Sequence, residues 1–267
     1  MLQPKTQRPH VGWRVSRPHI HTAAIRGALA FVWRHPWIVL HRTGGTQRPP
    51  RGRRGLRPLA PPPPNGIDLY WLPLGAGGHS VRLNGRIFEA LVARLERRDR
   101  CDLYHSALEV RVPGGRFVIE QAPLRPSDGA ERGVVAEGAV GARAAGRFRL
   151  FRYEVRRWRD GIIPDIAEAV ESPHRLSGDP DRARRLLDLV PQVPTPDWGR
   201  DELRAGEMWN SNSVISWLIV RSGLDVESIQ PPPGGRAPGW RAGIAMARRQ
   251  QAEAALPRVK AEPLIIG

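Results

Sequence analysis

Apolar and polar positions form short, separable patterns between residues 67 and 240. Ile67 to Leu74 predicts a first short strand. Gly75-Ala76-Gly77-Gly78 predicts a flexible loop with His79 at its end. Asn84 opens a predicted helix through Arg98. Phe88, Leu91, Val92 and Leu95 recur there at helical spacing, and Arg94, Glu96, Arg97 and Arg98 form the wet face. Leu103 to Val112 and Arg116 to Ala122 flank Pro113-Gly114-Gly115, the pattern of a β-hairpin. A third strand is expected over about residues 147–158, where Phe151, Tyr153 and Val155 alternate with charged residues. Pro180 or Asp181 opens a short helix carrying Ala183, Leu186, Leu187 and Val190. The run Val214-Ile215-Ser216-Trp217-Leu218-Ile219-Val220 is apolar almost all round. It predicts a buried helix over 213–222 that ends at Gly223, a residue suited to a left-handed cap. Residues 231–240 read as a rigid exposed loop, and 248–267 as a fraying tail. This order, with no βαβ rhythm and no repeat, defines an α+β class: an antiparallel sheet with helices on one side.

The charge pattern changes where the protein is expected to act. The chain has 267 residues and a formal net charge of +16, but residues 1–67 hold 12 of its 42 Lys and Arg and no Asp or Glu. The other 200 residues carry 30 basic against 26 acidic side chains, a net of only +4. A nucleic-acid backbone calls for a basic stripe on the folded part, so no specific nucleic-acid partner is expected. Residues 1–66 read as a disordered Arg- and Pro-rich basic tail and linker, residues 67–247 as the folded domain, and 248–267 as a C-terminal tail. The tail's basic and aromatic residues suit peripheral contact with an anionic membrane surface. A start of translation near Pro61 is the other reading of this stretch. The basic residues are nearly all arginine, which reads as the coding bias of a GC-rich genome. Cys101 is the single cysteine, so an intrachain disulfide is impossible. The longest apolar run in residues 23–41 is too short for a membrane span and lacks a signal-cleavage pattern, so a cytoplasmic location is expected. No metal-ligand spacing, phosphate loop or dinucleotide fingerprint is present, and no cofactor is expected.

Three positions bear candidate chemistry. Trp209-Asn210-Ser211-Asn212-Ser213 leads straight into the apolar helix. A helix start of this kind offers unpaired N–H groups and a positive dipole end, both favourable to developing negative charge. Ser211 is the candidate nucleophile, and Asn212 and Ser213 the candidate donors of oxyanion N–H groups. The bland alternative is that the polar run only caps the helix. His105 is the candidate base. On a strand it shares a face with Ala107 and Glu109, while Tyr104, Ser106, Leu108 and Val110 share the other. Its bland alternative is a structural histidine. Glu120, in Phe117-Val118-Ile119-Glu120-Gln121-Ala122-Pro123, is the candidate carboxylate to orient the imidazole.

Taken in order, a strand opening on His105, a glycine turn, the Val118-Ile119-Glu120 strand and an Asn210-Ser211-Asn212 box at a buried helix resemble the permuted NlpC-type papain-like superfamily. That group includes the lecithin:retinol acyltransferase-like and PPPDE-type thiol hydrolases. The resemblance spans roughly residues 67–240. It implies a papain-like sheet packed on a nucleophile-bearing helix, and an acyl substrate borne by a small molecule, peptide or lipid.

Two departures from that group stand in this chain. Ser211 occupies the position of the family's cysteine. Helix dipoles and a nearby imidazolium lower a thiol's pKa, but a dipole worth at most ~2 kcal/mol yields no standing alkoxide. Ser211 therefore needs His105 as a true general base. Secondly, a Gly114-Gly115 turn would pair Glu109 with Glu120 and offset Glu120 from His105 by four residues, roughly 13 Å. Cys101 precedes the strand and lies on the wrong element to substitute for Ser211. His79 is a spare base, and the loop 231–240 with Trp240 is a candidate wall of the cleft. Three readings compete: a Ser–His hydrolase or acyl transferase, a catalytically inactive relative that binds a peptide, acyl chain or cell-wall fragment, and a nucleic-acid or membrane-surface module driven by the basic tail.

Overall fold

The computed structural model describes residues 65–74, 93–94, 97, 99–124 and 132–256. The predicted basic tail, the loop with His79, most of the predicted 84–98 helix and residues 257–267 lie outside these. Of that predicted helix only Ala93 and Arg94 are described as helical.

Among the described residues seven strands make the sheet: β1 (Gly66–Pro73), β2 (Asp102–Val112), β3 (Gly115–Pro123), β4 (Val134–Ala139), β5 (Arg152–Arg159), β6 (Val170–Ser177) and the short β7 (Gly235–Arg236). The first six are antiparallel in the order β4-β5-β3-β2-β1-β6, and β7 pairs parallel with β2. The α-helices among the described residues are α1 (Pro180–Leu189), α2 (Ser211–Arg221) and α3 (Trp240–Ala255). The α+β class read from the pattern is what the molecule has.

Side-chain alternation divides the sheet into two layers. Ile67, Leu69 and Trp71 of β1, Leu108 and Val110 of β2, Ile119 of β3 and Tyr153 and Val155 of β5 face the helices and join Val214, Ile215, Trp217 and Leu218 in the main core. Tyr70, Leu72, Ala107 and Val118 face the other way and pack with Ile163 in a second, smaller cluster. That second layer also holds carboxylates: Asp68 and Glu109 are bonded by Arg111, Arg116 bonds Glu109 at 2.7 Å, and Arg156 bonds Glu120 at 2.6 Å as well as Glu154. Removing one partner would strand a buried charge, so these pairs hold the layer in register.

α2 is apolar all round because it is sandwiched between the sheet and α3. Gly243 makes the helix crossing close: a Cβ there would lie 2.0 Å from Ser213 O and 2.2 Å from Ser216 Oγ. Ser216 Oγ then donates to Trp240 O at 2.8 Å across the crossing. At its C-terminal end Gly223 takes φ +79°, and Leu224 N–H returns to Ile219 O at 3.1 Å, as the sequence suggested.

Several elements differ from the pattern reading. α3 continues through Ala255, past the expected tail boundary at 248; its buried residues Ala242, Gly243 and Ala247 are too small to give a strong apolar periodicity. β5 begins at Arg152, because residues 143–147 and 149–151 form 3-10 turns instead of strand. β6 is an exposed edge strand without apolar alternation, and β4 is a short edge strand at the other side.

Candidate functional site

The first turn of α2 stands where β2 and β3 part. Pairing between those strands runs from Val112↔Gly115 to Leu108↔Ile119 and no further. Leu74 N–H donates to Leu103 O at 2.6 Å, so Leu103 turns its backbone groups toward β1. Tyr104, one residue on, turns its own toward the β3 side. There its carbonyl accepts a hydrogen bond from Asn212 Nδ2 at 2.9 Å instead of from β3. Just below, β7 pairs with Asp102 and Leu103. The edge of β2 thus meets β7, then the first turn of α2, then β3. The helix start fills a notch in the sheet rather than lying wholly on one layer.

The polar box is mostly architecture. Asn210 is the N-cap: its Oδ1 accepts from Asn212 N–H at 2.9 Å and its Nδ2 donates to Pro238 O at 2.8 Å. Ser213 Oγ reciprocates by accepting from Asn210 N–H at 3.1 Å and donates to Gly239 O at 2.7 Å, a capping box. Asn212 accepts from Ser106 Oγ at 2.8 Å and also donates to Pro238 O at 2.8 Å. Gly239, at φ +88°, lets the loop come this close; a Cβ there would sit 2.4 Å from Asn210 Oδ1. Ser211 alone in the box makes no side-chain hydrogen bond among the described residues, although it is only 7 % exposed.

Within the polar run the cap is Asn210. One expectation is corrected. The N–H groups of Asn212 and Ser213, expected as oxyanion donors, are taken by Asn210 Oδ1 and by Asn210 O at 3.0 Å. Among the described residues no hydrogen bond engages the N–H of Ser211 itself, the first residue of the helix.

His105 sits opposite Leu72 of β1, in the layer away from the helices. It lies between Tyr104 and Ser106, the two residues that Asn212 grips. The first turn of α2 and His105 therefore lie on opposite faces of the same stretch of β2. Among the described residues the His105 ring is hydrogen-bonded to neither Ser211 nor Glu120. Burial pushes its pKa down to about 4, with Asp165 acting in the opposite sense, so the ring is neutral at physiological pH.

The hairpin turns one residue earlier than the sequence reading had it. Pro113-Gly114 form the turn and Gly115 already pairs with Val112, so Glu109 faces Val118, not Glu120. The pairing ends at Leu108↔Ile119; continued on that register, Glu120 would fall level with Ala107, two residues from His105 instead of four. Its carboxylate, however, accepts from Arg156 Nη1 across the β3–β5 pair, which answers its charge. Trp240 packs on Trp71 with ring centroids 5.1 Å apart, inside the helical layer, while Pro238 of the same loop borders the box. Among the described residues no group of His, Cys, Asp and Glu is arranged to hold a metal ion, and no helix is long and apolar enough to cross a membrane.

One signal near the site escaped sequence reading. Gln121 is 6 % exposed, and neither of its amide atoms has a hydrogen-bond partner. Its partner on β5, Val155, belongs to the main core, which puts Gln121 in the helical layer. In the sequence it stands beside Glu120 in a strand that also carries Arg116, and nothing in that pattern marks it.

No protein-family model, curated protein or solved structure matches this chain.

Proposed function

We propose that the notch between β2 and β3 is an acyl-transfer site of papain-like type, with Ser211 as nucleophile and His105 as general base. It hydrolyses or transfers the acyl group of an ester, thioester or amide carried by a small molecule, peptide or lipid. One observation carries the reading. Every other polar side chain of the box is spent on holding the helix start, and the Ser211 hydroxyl, fixed at the first helical position, is spent on nothing.

The chemistry balances with these two side chains. Ser211 Oγ attacks the acyl carbon while its proton passes to His105. The oxyanion meets the N–H of Ser211 at the positive end of α2. The imidazolium then returns the proton to the departing alcohol, thiol or amine, leaving an acyl-serine. Water or an acceptor nucleophile attacks the acyl-serine, gives its proton to His105, and the proton returns to Ser211 as the ester opens. A depressed imidazole pKa keeps the base unprotonated at neutral pH but makes it a weak one, so turnover is slow.

A second reading is favoured by the missing Ser211–His105 hydrogen bond: the same notch binds an acylated or peptidic ligand without chemistry. Intact-mass analysis after treatment with a fluorophosphonate separates the two. The catalytic reading expects one adduct, located on Ser211 and absent from Ser211→Ala. A wild-type protein that stays unmodified under prolonged treatment contradicts it and leaves the binding reading.

A further inference from the structure

We propose that Asp165, in the β5–β6 connection, is the carboxylate that serves His105 as a positioning residue. The inference rests on the acyl-transfer reading for its purpose, but its geometry stands apart from Ser211.

Ile163 anchors the connection. It is 2 % exposed and packs in the second-layer cluster with Leu72 and Ala107. Those are the residues on either side of His105 in that layer: Leu72 opposite it on β1, Ala107 next along the same face of β2. Asp165 follows two residues later and caps the 3-10 turn Ile166–Glu168, which packs against β1. The anchor thus brings the start of the 3-10 turn, with Asp165, to the side of the sheet that holds the imidazole.

The charges around His105 leave this carboxylate as its counterpart. From β1 it meets apolar Leu72. On β3 Glu120 is bonded to Arg156, and on β2 Glu109 is bonded to Arg111 and Arg116. Asp165 makes no ion pair among the described residues, and its field on the His105 ring favours the protonated form. It also holds a left-handed backbone, φ 58° and ψ 25°, which an aspartate tolerates better than most residues. Such conformations persist where the surrounding structure over-determines them. As the ring takes the serine's proton, a fixed negative charge in the same layer stabilises the imidazolium and biases the ring's orientation.

The test is an NMR titration of the His105 imidazole in the full chain, wild type against Asp165→Asn. Asparagine has the same shape and the same tolerance for the left-handed backbone, so the fold is retained. Asp160→Asn is the control, on the same connection with a 72 % exposed side chain beside Arg159. Asp165→Asn is expected to move the His105 midpoint to lower pH by at least a few tenths of a unit, with Asp160→Asn leaving it in place. No movement in Asp165→Asn, or an equal movement in the control, overturns the proposal. This readout needs no reactive serine, so it succeeds or fails independently of the catalytic reading. Where Ser211 does acylate, Asp165→Asn is expected to slow labelling about tenfold, and an unchanged rate also overturns the positioning role.

Discussion

Asn212 holds the site together at the level of single residues. Its side chain satisfies Tyr104 O, Pro238 O and Ser106 Oγ, joining helix, loop and strand where the sheet opens. Asn212→Ala would remove those three bonds and leave buried partners unpaired, so a loss of about 2–4 kcal/mol is expected in urea unfolding. Ser211→Ala removes no hydrogen bond, and its stability should stay within about 0.5 kcal/mol of wild type. Equal losses in the two variants would mean that Ser211 is architecture like its neighbours. The division of labour within the box was not legible in the sequence. Asn-Ser-Asn-Ser advertises a helix start, but which member caps and which stays free depends on Tyr104, Ser106, Pro238 and Gly239, all distant in the chain. Glu120 shows the same limit. One residue's difference in where the hairpin turns changed its expected offset from His105, and Arg156, supplied by β5, could not be foreseen.

Among the elements, those with strong periodicity were readable and those shaped by neighbours were not. β1, the β2–β3 hairpin, α1 and α2 declare themselves through large apolar residues at the right spacing. α3 does not, because its inner face is built from Ala242, Gly243 and Ala247 so that it can lie close to α2. That closeness predicts the effect of one methyl group. Gly243→Ala would drive a Cβ into Ser213 O and Ser216 Oγ, and a destabilisation of about 1–3 kcal/mol is expected from thermal or denaturant melts. The damage should reach the box, since Ser213 and Ser216 bond to Gly239 and Trp240 through this crossing. A neutral substitution would show that the helices can separate without cost. β7 was equally hidden: two residues pairing with β2 carry no pattern of their own, yet they occupy the edge that β3 abandons.

For the molecule as a whole, the two layers of the sheet have different work. One buries apolar side chains under the helices, and the other sets charged groups in matched pairs around a small apolar cluster. The first turn of α2 fills the notch between β2 and β3 from the helical side, and His105 lies on the other face of β2 at the same level. The excess positive charge lies elsewhere, in residues 1–67, so it does not define the chemistry of the sheet. The account stands on Ser211 and His105 acting together through that notch. Its most direct test is the rate of Ser211 acylation by a fluorophosphonate in His105→Gln against wild type, followed by intact mass. A fall of about a hundredfold or more is predicted, the usual worth of a general base. The wild-type rate should also decline as pH drops through about 4, where the ring becomes protonated. An acylation rate unchanged by His105→Gln would contradict the account and leave Ser211 a serine without a base.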